Sequence, residues 1–136
     1  MRVLIDSNVL FSAVYRSGST PHLAFIKAVN LPYHCLVCEQ SLDELSESFI
    51  DKFPSRAGEL EIFIYDALAV VEVISIPDDE HPDEVKLIDP DDALILRSAI
   101  AANADIIISG DTHFLKSDVT KPLIMSAAQF LQMESP

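Results

Sequence analysis

Tryptophan is absent from the 136-residue chain and glycine occurs only three times, while apolar residues make up 49%. A glycine-poor, apolar-rich composition of this kind excludes a fibrous or disordered chain and predicts one domain, residues 1–136, with a substantial core. Long apolar runs are also lacking, none approaching the roughly 18 to 20 residues of a membrane span. The opening MRVLID reaches an acid too early for an export signal, so a cytoplasmic protein is expected. Positive charge is also scarce: nine Lys+Arg face 22 Asp+Glu, a net charge of −13. A surface that gathers nucleic acid by itself normally carries a basic footprint, and this one does not. The imbalance suits a bound cation or a basic partner instead. Cysteine is limited to Cys35 and Cys38, preceded by His34, which is half a zinc motif with no second pair. In an extended segment the two thiols point to opposite faces, and they read as small hydrophobes of a buried strand.

What is present alternates between two periodicities. Arg2–Ile5, Cys35–Cys38, Val70–Ile76, Ile106–Ser109 and Leu123–Met125 are short apolar runs that predict strands. Asn8–Tyr15, with Ser7, Asn8 or Asp6 able to cap it, His22–Val29, Ala57–Leu68, Asp92–Asn103 and Ala127–Met133 have helical composition. Ser41–Lys52 carries Leu42, Leu45 and Phe49 at i, i+3 and i+7, an amphipathic helix stopped at Pro54. Residues 77–92, with eight acids and three prolines, predict a solvated loop, and Gly110–His113 a turn that glycine allows to be sharp. Continuously apolar strands alternating with helices define an α/β class: a three-layer α/β/α sandwich around a mostly parallel sheet.

In such a sheet ligands bind beyond the carboxyl ends of the strands. Asp6 ends the first strand, Asp111 follows the Ile106–Ser109 strand, and Asp92 opens the helix that feeds it. Asp89 and Asp91 sit beside Asp92 around Pro90, where acids ordinarily cap a helix start. Asp92 differs, because Leu96 and Ala99 at i+4 and i+7 place it on an inward, apolar face. Three acids at one rim repel one another unless a cation lies between them, and clustered oxygens suit Mg²⁺ or Mn²⁺. The Ser41–Lys52 helix also starts at this rim, offering Asp43, Glu44 and Glu47; spacing alone does not choose among them.

Four pieces in order, Leu4-Ile-Asp-Ser-Asn-Val-Leu, Leu42-Asp-Glu-Leu, Asp89-Pro-Asp-Asp-Ala and Ile108-Ser-Gly-Asp, resemble the PIN domain family of small metal-dependent nucleases. The Asp-Ser-Asn opening is similar to that of prokaryotic members acting as toxins of toxin–antitoxin pairs, the VapC type. The resemblance implies an acidic quartet, Asp6, Glu44, Asp92 and Asp111, that is both catalytic and metal-binding; the excess acids around 78–91, less typical of the family, leave Asp91 as an extra ligand candidate. Asn8 and Ser109 match flanking polar positions, Ser109 standing where Thr is more usual. It further implies Mg²⁺ or Mn²⁺ as cofactor, hydrolysis of RNA phosphodiesters, a small antitoxin partner and pairing as homodimers. Metal ions held by carboxylates acidify the attacking water and relieve charge in the transition state. Arg16, Lys116 and Lys121 fall in or near rim loops and are the candidates to meet RNA phosphates. A haloacid-dehalogenase-like phosphatase would use Asp6 as nucleophile, but it wants an acid two residues on, where Asn8 stands. A non-catalytic PIN-like scaffold that only binds a partner is the other alternative.

Overall fold

A computed structural model describes residues 1–134. Five strands, β1 (Arg2–Ile5), β2 (His34–Cys38), β3 (Glu72–Ile74), β4 (Ile106–Ile108) and β5 (Leu123–Met125), form one sheet in the order β3-β2-β1-β4-β5, every pair parallel. Seven helices accompany them: α1 (Ser7–Tyr15), α2 (Thr20–Ala28), α3 (Glu39–Lys52), α4 (Ala57–Leu68), α5 (Pro90–Ala101), α6 (Thr112–Leu115) and α7 (Ala127–Gln132).

In β1, β2 and β4 every central position is apolar because both sheet faces are covered there, while the edge strands β3 and β5 are partly exposed. Val3, Ile5, Cys35, Val37, Ile106 and Ile108 face one layer with Leu45, Phe49, Leu60 and Phe130. Leu4, Leu36, Cys38 and Ile107 face the other, with Ile95, Leu96, Ala99 and Phe114. Cys35 and Cys38 therefore serve opposite cores, both buried and unpaired, as period-two alternation requires. Burial pushes the Cys35 thiol up to about 12, which keeps it a protonated core residue rather than a nucleophile.

Differences from the sequence expectation lie at the ends of elements. Of the three residues the sequence offers as caps of α1, Asp6 is the one used, accepting from the Ser7 N–H. The third strand is confined to Glu72–Ile74, since the helix before it runs to Leu68 and a turn occupies Val70 and Val71. The acidic loop contains a 3₁₀ turn, Pro82–Lys86, held down by Arg97 of α5, which donates to Glu84 at 2.9 Å and to the Pro77 carbonyl at 3.1 Å. The turn after β4 is the short helix α6, closed by its own aspartate cap. Gly110 does not have a positive φ, so this turn does not depend on glycine.

The strand order runs one way from β1 through β2 to β3 and the other way from β4 to β5. Connections leaving β1 and β4 therefore diverge to opposite faces, and a crevice opens between the carboxyl ends of these two strands.

Candidate metal site at the carboxyl edge of the sheet

Asp6 follows β1 at this crevice and is 7% exposed. Its backbone N–H extends the ladder to the Ile108 carbonyl at 3.0 Å, which fixes where the side chain emerges. One carboxylate oxygen accepts from the Ser7 N–H at 2.7 Å, and the other accepts from the Ser109 hydroxyl at 2.9 Å. The Ser109 hydroxyl in turn accepts from the Asp111 N–H at 3.1 Å. Asp111 is anchored as the α6 cap, accepting from the His113 N–H at 2.8 Å. Ser109, fully buried, thus ties the loop after β4 to the acid after β1. Asn8 makes a second tie, its side-chain oxygen accepting from the Gly110 N–H at 3.0 Å.

On the opposite wall, Glu44 accepts from the Ser7 hydroxyl at 2.9 Å and from the Gln40 side-chain amide at 3.2 Å. Geometry separates it from its helix neighbours: Asp43 and Glu47 are exposed, and only Glu44 lines the crevice. The floor comes from α5. Asp89 caps it, accepting from the Asp91 N–H at 2.9 Å, and Pro90 opens it. Asp92, 5% exposed, shares the inward face with Leu96 and Ala99, both fully buried.

The outcome is a cavity of about 140 Å³ lined by Asp6, Glu44, Asp89, Asp91, Asp92 and Asp111. Carboxylate oxygens of Asp89, Asp92 and Asp111 lie within 4.8 Å of one another. Asp89, read in the sequence as a helix cap, is both a cap and a member of this group. The available signal was its i, i+3 spacing to Asp92, which stacks the two on one side of the first helical turn. Gln40, four residues before Glu44, was likewise missed. Asp91 reaches the cavity wall but is exposed.

Among the described residues no cation balances these charges. None of the six ion pairs among the described residues involves Asp6, Glu44, Asp89, Asp92 or Asp111. Burial, then repulsion from Asp111, Asp89, Asp6 and Asp91, pushes the Asp92 carboxyl up to about 7. Burial also raises Asp6, against the lowering effect of its Ser109 and Ser7 hydrogen bonds, with Glu44 and Asp111 adding repulsion. Asp92 has no hydrogen-bond donor or cation beside it among the described residues, so its charged form needs one from outside. A hard, oxygen-seeking divalent ion fits that donor set.

None of the three basic candidates lines the acidic cavity. Arg16 follows the far end of α1, exposed and off the cavity wall. Lys116 follows α6, exposed, also off the wall. Lys121 lies at the opposite edge of the sheet, because it precedes a parallel strand instead of following one.

Fold and site together define an α/β protein with an uncompensated acidic pocket at the switch point of a parallel sheet. The chain belongs to the PIN domain family: the family model of that description matches residues 2–113. No curated protein matches the chain. Among solved structures it is similar to a chain of VapBC2 from Rickettsia felis, determined bound to a DNA fragment from their promoter. That match has a TM-score of 0.67 at 17% identity and covers 93% of this chain and 98% of the other. It is also similar to PAE2754 from Pyrobaculum aerophilum, with a TM-score of 0.60 at 12% identity, covering 97% of this chain and 94% of that one. At these identities the likeness is one of fold.

Proposed function

We propose that the chain is a single PIN domain over residues 1–136 that hydrolyses RNA phosphodiester bonds with a divalent metal ion, as the toxin of a toxin–antitoxin pair. One observation carries the reading. Asp92 is buried without a partner and faces Asp89 and Asp111 within 4.8 Å, in the crevice where ligands of parallel sheets bind. PIN domains are generally nucleases, and a similar fold comes from a VapBC2 assembly. The −13 charge favours a basic antitoxin on this surface.

Asp6, Glu44, Asp92 and Asp111 are the proposed ligands, with Asp89 added by the geometry and Asp91 at the margin. A bound Mg²⁺ or Mn²⁺ supplies Lewis acidity to the scissile phosphate and lowers the pKa of water. The chain's own residues supply position. Ser109 and the Ser7 N–H fix both oxygens of Asp6, and the Ser7 hydroxyl and Gln40 fix Glu44. Asn8 holds the β4 loop and leaves no acid two residues after Asp6, which disfavours the phosphatase alternative.

The test is cleavage of a mixed RNA pool by the purified chain with Mg²⁺ or Mn²⁺ and with EDTA. Metal-dependent cleavage that Asp111→Asn lowers by at least about a hundredfold is expected, as loss of a ligand to an essential ion should do. Cleavage in EDTA, or full activity of the variant, would overturn the metal mechanism. A folded chain that binds a basic partner and never cuts RNA would identify the scaffold alternative.

A further inference from the structure

An acidic nuclease must still hold a polyanion, and most of its few cations are committed elsewhere. Arg2 pairs with Glu72, Arg56 with Glu59, Lys86 with Asp83 and Arg97 with Glu84, while Lys27 donates to the Phe130 and Met133 carbonyls. None of the remaining four, Arg16, Lys52, Lys116 and Lys121, lines the acidic cavity, but Lys52 lines the cavity that adjoins it.

A second cavity of about 420 Å³ adjoins the first and shares Ser7, Asn8 and Glu44 with it. Its outer part is lined by Phe11, Ser12, Ser48 and Lys52. On α3, Gln40, Glu44, Ser48 and Lys52 follow at four-residue intervals, so they form one stripe leading out of the acidic pocket. Lys52 lies eight residues beyond Glu44, about 12 Å along the helix axis. Its ammonium sits 5.2 Å from the centre of the Phe11 ring, which holds the charge over the groove.

We infer that this α1–α3 groove is the track of the RNA strand beside the cleavage site, with Lys52 binding a phosphate that flanks the scissile one. The groove offers a nucleotide two hydroxyls, Ser12 and Ser48, and one cation outside any ion pair at the end away from the acids, held in place over the Phe11 ring. The inference rests on the nuclease reading and assigns its substrate path.

The experiment compares the native chain, Lys52→Glu and Lys121→Glu on one single-stranded RNA oligonucleotide with Mn²⁺. Lys121→Glu makes the same charge change at the opposite edge of the sheet and controls for net charge. Lys52→Glu is expected to raise KM about tenfold with kcat within about twofold, and to reduce the slope of log affinity against log salt by about 0.7, the value for one lost single-strand contact. Lys121→Glu is expected to leave KM within about twofold. Equal KM for both variants, or a loss confined to kcat, would overturn the groove assignment while leaving the nuclease standing. A native chain that neither binds nor cuts the oligonucleotide would overturn both.

Discussion

Ser109 shows how one hydroxyl organises two of the crevice's acids. It is fully buried, donates to Asp6 and accepts from the Asp111 N–H, so both acids are placed by a single side chain. Ser109→Ala leaves the Asp111 N–H without this acceptor and removes one of the two bonds that restrain Asp6. A loss of about 1–2 kcal/mol in denaturant unfolding is expected, the usual cost of breaking buried polar pairs. RNA cleavage should fall further than the stability loss explains, because Asp6 then rotates. Asp92 has the reverse character. Charged and unpartnered, it opposes folding whenever no cation is bound, so Asp92→Asn should unfold at higher temperature than the native chain in EDTA at neutral pH. The same substitution should abolish the rise in melting temperature that Mg²⁺ gives the native chain. A native chain more stable than the variant in EDTA would mean that Asp92 has found a partner in the fold.

At the level of elements, α5 illustrates what is legible in one sequence and what is not. Its start is written in Asp89 and Pro90, and its inward face in Leu96 and Ala99, because caps and periodicity are local. The five strands and their common direction were legible for a similar reason: an uninterrupted apolar run is what double coverage demands. The sequence resolved less where an interaction is long-range. The 3₁₀ turn at Pro82–Lys86 depends on Arg97, and the standing of Asp89 depends on Asp111 arriving from the next strand. Lys121 was misplaced because a loop's edge depends on which side of its strand it falls. The end of α5 supplies a test of local origin. Asn103 takes a positive φ of 57°, a left-handed conformation that ends the helix and that asparagine tolerates. Asn103→Val should cost about 1–2 kcal/mol, while Asn103→Gly should be neutral or slightly stabilising. Gly110→Ala, by contrast, should be nearly silent. Gly110 has no positive φ, and a new Cβ would come no closer than 3.4 Å to the Asn8 side-chain oxygen.

Across the whole molecule, four carboxyl groups form two pairs with opposite dependence on pH. Glu72 is lowered by its hydrogen bonds to His34 and Arg2, and Glu84 chiefly by Arg97. Their contribution is present above the ordinary carboxylate pKa and disappears only as pH falls below it. Asp92, raised from 3.8 to about 7, and Asp6, also raised, bind protons more tightly in the fold than in the unfolded chain. Their effect has the other sign: stability is greatest when they are protonated and declines as pH rises, for Asp92 from about 4 toward about 7. Between about pH 5 and 7 the first pair is already fully ionised, so only the second changes the balance. The melting temperature in EDTA should therefore fall across this interval and level off above it. Mg²⁺ binds the ionised cluster, so it should stabilise little at pH 5 and most above pH 7, flattening the decline. Asp92→Asn should flatten much of it without metal. A melting temperature in EDTA that holds or rises from pH 5 to 7 would show that the acids of the crevice are already neutralised within the folded chain, and the case for a shared metal ion would go with them.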